Sequence, residues 1–205
     1  MCSRDEETAL ETIGHKYVVG IDEVGRGCLA GPVTVCACWM KSTVNIPGIN
    51  DSKKLSEKKR EALYEQLISN LDVKFAVVHI DNTIIDQINI LQATFRGMWE
   101  SYQKLKAQIH VDYILIDGNQ VPPQFKNGEV GVKTIVGGDA KCVSIAAASI
   151  LAKVSRDRLM KAYDVTFPHY GFAQHKGYGA KTHFDAIKTH GPTNIHRRTF
   201  NGVIV

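Results

Sequence analysis

Four acidic side chains stand where an apolar or glycine-bounded segment stops. Asp22 and Glu23 end the first apolar run, Asp117 ends a later one, and Asp139 follows a pair of glycines. Side chains at the ends of strands are not needed for packing, and α/β folds place their ligands there. Several carboxylates in one place repel each other unless a cation compensates them. The pattern therefore favours a site for Mg²⁺ or Mn²⁺, which prefer oxygen ligands.

Carboxylates of this kind can support phosphodiester hydrolysis without a Ser, Cys or His nucleophile. Two metal ions about 3.5–4 Å apart activate a water and stabilise the leaving oxygen. Each acid alone also has a structural explanation, as a turn residue at Asp117, a helix N-cap at Asp139 or a solvated strand end. Adjacent strand residues point to opposite faces, so Asp22 and Glu23 share one site only if the strand ends or bulges there.

A glycine-flanked arginine, Gly25-Arg26-Gly27, follows the first two acids directly. Two glycines leave the backbone open to the close approach of a ligand, although a tight turn explains the motif equally well. Lys53 and Lys54 precede a predicted helix. They either contact phosphates or form a solvated approach to that helix.

The elements that must position these residues alternate between strands and helices. Apolar runs predict strands at 17–21, 33–39, 73–80, 113–116 and 132–136. Helices are predicted at 56–69, along an apolar stripe from Ile84 to Leu105, at 143–160 and at 182–190. This order predicts a mixed α/β domain with a helical tail.

Bulk composition narrows the class of protein. With 205 residues, 44% of them hydrophobic, the chain can bury the core of a single domain. Its first 16 residues are acidic and lack an apolar run, which argues against a targeting segment. No stretch approaches the roughly 18 apolar residues of a membrane span. Five cysteines without a Cys-x-x-Cys pair predict free thiols and a reducing, cytoplasmic location.

The net charge of +4 is concentrated in the last 37 residues, where five basic residues face one acid. Those residues are Lys176, Lys181, Lys188, Arg197 and Arg198 against Asp185. Five of the eight histidines lie in the same segment, interleaved with aromatic residues. Cations mixed with aromatics suggest a surface for a nucleic-acid backbone, and a solvated basic face is the alternative.

Five blocks in fixed order are more specific than any single motif. They are IDEVGRGCLAGPV at 21–33, NDSKKLS at 50–56, ILIDGN at 114–119, GGDAKCVSIAAASILAKVSRD at 137–157 and YGFAQHKGYG at 170–179. Together they resemble the ribonuclease HII family over nearly the whole chain. The resemblance implies an RNase H-like mixed sheet flanked by helices. It also implies a C-terminal helical extension, and with the composition of the two ends we predict a polar extension at 1–16, a catalytic domain at 17–168 and a small basic helical extension at 169–205 that contacts substrate.

The resemblance also implies roles for individual residues. The family's acidic quartet falls on Asp22, Glu23, Asp117 and Asp139, which would bind two Mn²⁺ or Mg²⁺ ions. Many members carry a basic residue two positions before the fourth aspartate, where this chain has Gly137. Asp157 is the competing acid, and we expect it to be a structural residue at a helix end.

Substrate contacts are implied by the same resemblance. Gly25, Arg26 and Gly27 would read the 2′-hydroxyl that distinguishes RNA from DNA. Tyr178 would stack near the sugar at an RNA–DNA junction.

The expected function is an endoribonuclease that cleaves the RNA strand of RNA–DNA hybrids and cuts 5′ of ribonucleotides embedded in duplex DNA. Cleavage would leave 5′-phosphate and 3′-hydroxyl ends, and we expect a monomer without membrane association. Another two-metal nuclease of similar fold, such as a 3′–5′ exonuclease, is the enzymatic alternative. A catalytically silent nucleic-acid-binding subunit is the other. A zinc site in the tail has little support, because its histidine spacings fit no familiar ligand pattern.

Overall fold

A five-stranded mixed sheet forms the centre of the chain in a computed structural model that describes residues 2–128 and 130–203. The strands are β1 (Val18–Val24), β2 (Val33–Met40), β3 (Val73–Ile80), β4 (Tyr113–Asp117) and β5 (Gly131–Ile135), in the order β3-β2-β1-β4-β5. β1 to β3 pair antiparallel, whereas β4 lies parallel to β1 and β5 parallel to β4. All five predicted strands are confirmed, and the fold is the expected mixed sheet flanked by helices.

The helices are α1 (Asp5–Thr12), α2 (Glu57–Ser69), α3 (Asn82–Lys106), α4 (Val143–Thr166), α5 (Phe172–His175) and α6 (Lys181–His190). The predicted cap of α2 is confirmed, because the Ser56 hydroxyl accepts the Lys59 N–H at 3.3 Å. α3 contains the predicted apolar stripe but is interrupted at Asn89, which has a φ of 67°. The Asn89 side chain accepts the Gln92 N–H at 3.1 Å and so caps the second half of the helix.

The two long helices cover opposite faces of the sheet. α4 packs directly on β1, where a Cβ on Gly20 would lie 2.2 Å from the carbonyl carbon of Ser144. Buried alanines along α4 allow this close approach. α3 covers the other face through Phe95, Met98 and Tyr102. The sheet end that carries the acidic residues therefore lies between two long helices.

The N-terminal segment contains a helix that the sequence analysis did not predict. α1 buries Glu7, which is 2% exposed, and the Glu7 carboxylate accepts both the N–H and the hydroxyl of Ser144 at 2.8 and 2.6 Å. A buried acid without an apolar face gave the sequence no helical periodicity to detect. Glu7 thereby binds an amide in the first turn of α4, the element that supports β1.

The tail packs on the loop that follows β1 and on the end of α4. Its apolar cluster contains Leu29, Ala30, Met160, Tyr170, Phe172, Ala186, Ile187, Ile195 and Val203. Single bridges join Cys28 to Tyr178 and Ala30 to His196. The division at residues 16 and 168 stays a prediction, and Met1, Ile204 and Val205, which fall in its outer segments, lie outside the described residues.

The cysteines and the lengths of the helices bear on two predictions about the class of protein. All five cysteines are free thiols, as predicted. Within residues 2–128 and 130–203, no helix combines the length and the apolar character that a membrane crossing requires.

Candidate active site

β1 extends beyond β4 at the edge of the sheet where the acids meet. The parallel register pairs Ile21 with Ile116, so the next residues of the two strands are Asp22 and Asp117. The pairing with β2 continues regularly past Asp22 and Glu23, so β1 neither ends nor bulges there. β1 therefore meets neither of the two conditions that the sequence analysis set for a site shared by Asp22 and Glu23.

Asp22 and Glu23 do point to opposite faces of β1. Asp22 lies on the face covered by α4, where the Ser149 side chain lowers its pKa and so partly opposes the effect of burial. Glu23 lies on the face covered by α3, in a cleft lined by Phe95, Met98 and Asp117. The carboxylates therefore surround the exposed end of the sheet, and Asp117 raises the pKa of the acids on both sides.

Asp117 and Asp139 are joined through the glycine pair between β5 and α4. The Gly138 N–H donates to Asp117 Oδ1 at 2.7 Å. Asp139 lies in a short 3₁₀ turn (Gly138–Ala140), and the cap position of α4 is Cys142 instead. The alternative reading of Asp139 as a helix cap is thus wrong, and the turn leaves its carboxylate at the sheet end.

The site carries more negative charge than its surroundings compensate. Asp22 is 5% exposed, and burial, followed by the charges of Glu23 and Asp117, raises its pKa well above the usual range. Burial also raises the pKa of Glu23, although Arg26 opposes this from 3.2 Å. Burial and the charge of Asp117 raise the pKa of Asp139. Glu23 Oε2 is buried without a hydrogen-bond partner, which leaves an acceptor free for a cation.

Lys53 is the cation nearest to Asp139, with 3.6 Å between Nζ and Oδ2. Burial alone would lower the pKa of Lys53, but Asp139 and the other carboxylates outweigh it and raise that pKa. Its side chain is 80% exposed, so it partly neutralises the site from the solvent side. Lys54 points elsewhere and pairs with Asp51 at 3.8 Å.

A residue that the sequence analysis missed ties the Lys53 loop to the acids. The Ser52 hydroxyl lies 2.8 Å from that of Ser149, the side chain that lowers the pKa of Asp22. Ser52 and Ser149 are both buried. Serines in a charged loop and in a helix carry no signal of such a contact, because only the fold brings them together.

The four acids gather at one place without forming a finished metal cage. Among residues 2–128 and 130–203, no three His, Cys, Asp or Glu side chains already stand in a ligating arrangement. The surplus charge and the free Glu23 oxygen nevertheless fit a hard divalent cation, which takes carboxylate oxygens together with water or phosphate.

Asp157, the competing acid, lies inside α4, so the expected position at a helix end was wrong. It is 4% exposed and pairs with Lys153 at 2.8 Å and with Arg60 at 3.9 Å. Two cations compensate it, whereas Glu23 and Asp139 at the sheet end have one ion-pair partner each. Its partners make it a structural residue.

The glycine-flanked loop and Tyr178 lie side by side next to the acids. Gly25 has a φ of 90°, and a Cβ there would meet Arg156 Nε at 2.2 Å, so only glycine fits. Arg26 and Gly27 are exposed. Tyr178 is 41% exposed, and its bridge to Cys28 holds it beside this loop.

The tail's polar residues are divided between core and surface. Lys181, Lys188 and Arg198 are exposed, whereas Lys176 and Arg197 are buried. Tyr170 and Phe172 belong to the apolar cluster. Only part of the predicted basic face can therefore reach a nucleic acid.

Two buried histidines form a hydrogen-bonded chain beneath Tyr178. His196 Nδ1 accepts the Thr193 N–H at 2.9 Å, so its other nitrogen, 3.0 Å from His183 Nε2, is the donor. His183 Nδ1 then donates to the Tyr178 carbonyl at 2.9 Å. Burial lowers the pKa of each histidine to about 4, which keeps both rings neutral.

Comparison with known proteins identifies a family whose sequences match this chain. The family model described as Ribonuclease HII matches residues 19–203. A curated Ribonuclease HII from Endomicrobium trichonymphae is 52% identical over 190 residues, which cover 93% of this chain and 88% of that protein.

Solved structures share the fold as well. The ribonuclease H2 from Pyrococcus horikoshii OT3 superposes with a TM-score of 0.74 at 28% identity, covering 91% of this chain and 95% of that one. Bst-RNase HIII in complex with Mn²⁺ gives a TM-score of 0.70 at 18% identity, covering 98% and 72%. The second likeness shows the fold alone.

Proposed function

The chain belongs to the ribonuclease HII family and is thus a ribonuclease H-type hydrolase, and from that premise we propose that it cuts RNA–DNA duplexes by two-metal-ion hydrolysis. The scissile bond would be the phosphodiester on the 5′ side of a ribonucleotide, in a hybrid or embedded in duplex DNA. The products would carry 5′-phosphate and 3′-hydroxyl ends.

The surplus of carboxylate charge at the sheet end is the observation that carries this proposal. Asp22, Glu23, Asp117 and Asp139 would hold the ions, since they stand together and Glu23 Oε2 lacks a partner. Bound Mn²⁺ or Mg²⁺ would supply an activated water and neutralise the leaving oxygen. The acids have to move closer to ligate, because no ready-made cluster exists among the described residues. Binding of the ions would relieve the repulsion that keeps them apart.

The ribonucleotide would be recognised beside the acids. Arg26 contacts Glu23 at 3.2 Å, so the glycine-flanked loop and the carboxylates face one substrate. The exposed Tyr178 ring next to this loop would pack on the sugar at the junction. Lys53 stands over Asp139 with its ammonium group exposed, where a phosphate would meet it.

Duplex binding would extend onto the exposed cations of the tail. Lys181, Lys188 and Arg198 point to solvent and would neutralise phosphates, so affinity should fall as the salt concentration rises. The protein would work in the cytoplasm as a monomer. Mass measurement of the purified protein in solution, with and without duplex, tests the second point.

Mapping of the cleavage site tests the proposal most directly. The substrate is a DNA duplex with one embedded ribonucleotide, assayed with Mn²⁺, with Mg²⁺ and with a chelator. We expect a single cut 5′ of the ribonucleotide, only when a metal is present. Removal of nucleotides from free ends of all-DNA duplex would indicate a 3′–5′ exonuclease instead. Tight binding without any product would indicate a silent binding subunit.

A further inference from the structure

The loop that would read the ribonucleotide is held from beneath by a residue of the tail. Arg197 is fully buried, and its guanidinium donates to the Gly25 carbonyl at 2.6 Å, to the Arg26 carbonyl at 2.7 Å and to the Gly31 carbonyl at 3.0 Å. Two of these three carbonyls belong to consecutive peptide units of the glycine-flanked motif. Arg197 therefore acts on the part of the backbone that faces the substrate.

Peptide geometry converts these contacts into an orientation of the amide groups. The C=O and N–H of one trans peptide unit point in opposite directions. Because the Gly25 carbonyl points inward to Arg197, the Arg26 N–H points outward, and the Gly27 N–H follows from the Arg26 carbonyl in the same way. Both residues are exposed, and among the described residues neither amide has a hydrogen-bond acceptor.

We propose that Arg197 is a positioning residue for RNA recognition, which fixes the Arg26 and Gly27 N–H groups so that they can donate to the 2′-hydroxyl oxygen of the ribonucleotide. The inference rests on the proposed function for its ligand. The structural part of the inference, that Arg197 fixes two outward-pointing amides, does not depend on the proposed function.

The choice of arginine suits this task better than other side chains would. A guanidinium presents a planar, rigid set of donors, whereas a lysine ammonium is a point charge on a flexible stem. Arg156 holds the far side of the same loop in the same way, donating to the carbonyls of Ala30, Pro32 and Lys176 at 2.8–3.1 Å. Neither guanidinium forms an ion pair within the described part of the chain.

Burial of an uncompensated charge opposes folding, and burial lowers the pKa of Arg197 to about 10. An apolar side chain would fill the same space without that penalty. What an apolar residue cannot supply is the pair of oriented amides.

Arg197 is itself fixed by its neighbours on both sides. Its own N–H donates to the Leu29 carbonyl at 2.8 Å. The following residues, Arg198 and Thr199, donate to the Asp86 carboxylate on α3 at 2.6–3.1 Å. The segment that carries Arg197 is therefore anchored to α3 as well as to the tail.

Arg197→Lys and Arg197→Met test the proposal, with Arg198→Lys and Arg198→Met as matched controls on the exposed neighbour. One readout is the ratio of dissociation constants for a duplex with one ribonucleotide and for the same all-DNA duplex, measured in chelator. Loss of two aligned donors should reduce this preference about tenfold in the Arg197 variants. The controls should weaken both duplexes equally and leave the ratio unchanged.

The second readout is the ¹⁵N order parameter of the Arg26 and Gly27 amides. We expect about 0.85 in the unmodified protein and below about 0.6 in folded Arg197 variants. Folded variants that keep both the order parameters and the duplex preference would overturn the proposal. If the variants do not fold, measurements on the unmodified protein still test the proposal. Low order parameters at the Arg26 and Gly27 amides would overturn the proposal, and so would amide resonances that shift equally with both duplexes.

Failure of the proposed function gives a different result. In that case the unmodified protein would show no preference for the ribonucleotide-containing duplex, while its order parameters would still report whether Arg197 fixes the loop.

Discussion

The acidic sheet end and the polar core of the tail are both buried, but they treat charge in opposite ways. At the sheet end, Asp22 is surrounded by other carboxylates, and Glu23 keeps an oxygen without a partner. In the tail core, His183 and His196 stay neutral within a chain of hydrogen bonds, and Arg197 has three carbonyl acceptors. The sheet end needs a cation from outside the protein, whereas the polar groups of the tail core find their partners within the protein.

This difference assigns metal binding to the sheet end and the positioning of the loop at residues 25–27 to the tail core. A region with unpaired acceptors gains free energy when a cation arrives, so it can respond to metal. A region whose polar groups are all paired is rigid and can hold a loop in one orientation. The predictions that follow test this contrast, beginning with the largest effect.

Asp117→Asn should abolish the function of the sheet end and leave the tail core untouched. Asparagine can still accept the Gly138 N–H but carries no charge for a metal. We expect kcat to fall by about three orders of magnitude or more, with duplex affinity largely kept. Single-turnover cleavage and a binding titration measure the two quantities. Asp72→Asn, on the surface next to Lys41, is the control and should retain full activity.

The same substitution at two buried aspartates should change stability in opposite directions. Asp157→Asn leaves Lys153 and Arg60 without their acid and should lower the free energy of unfolding by about 3 kcal/mol. Asp22→Asn removes repulsion and should raise that free energy by about 1 kcal/mol in metal-free protein. Urea unfolding in chelator measures both. Destabilisation by Asp22→Asn would contradict the surplus charge that we assign to the site.

Acid should destabilise the tail core through its histidines. Their pKa of about 4 in the folded protein lies below the ordinary 6.5, so the unfolded chain binds protons first as the pH falls. The contribution of these histidines to the free energy of unfolding is therefore fully present above about pH 6.5 and is lost as the pH falls towards 4. The shift corresponds to roughly 3 kcal/mol for one histidine.

Urea unfolding between pH 7 and pH 4.5 measures this loss. His183→Asn should flatten the pH dependence, because an amide can still donate to the Tyr178 carbonyl but does not titrate. His169→Gln on the surface should leave the dependence as it is. An unchanged slope in the His183 variant would contradict the neutral histidine chain.

The smallest effect concerns the two lysines beside the sheet end. Lys53→Gln removes the exposed cation over Asp139 and should weaken duplex binding two- to fivefold, lowering the salt slope by about 1. Lys54→Gln should change less, since Lys54 pairs with Asp51. Fluorescence titrations at several salt concentrations compare the two. Equal effects would show that neither lysine faces the substrate in preference to the other.

The sequence predicted the sheet end better than it predicted the tail core. Strand ends marked by apolar runs located Asp22, Glu23 and Asp117, because alternation and length encode strands directly. The register that aligns Asp22 with Asp117 had no such signal, since it depends on which strands become neighbours.

The tail was harder to predict because its contacts run against residue preferences. Arginine and histidine are usually exposed or partly exposed, so the sequence indicated a basic surface where Arg197 and His183 are buried. The partners of Arg197 are backbone carbonyls, which every residue carries. Side-chain patterns alone therefore could not reveal that the tail orients the loop at residues 25–27.

The link between Arg197 and that loop also sets an order of events during synthesis. The hydrogen bonds from Arg197 to Arg26 and Gly25 span 171 and 172 positions of the chain. At about 5–20 residues per second, a ribosome needs on the order of ten to thirty seconds to cover that distance. Throughout this interval Asp22 and Glu23 have already been synthesised, but the loop at residues 25–27 lacks its contacts with Arg197. If this loop reads the ribonucleotide as we propose, a nascent chain carries Asp22 and Glu23 well before it can discriminate RNA from DNA.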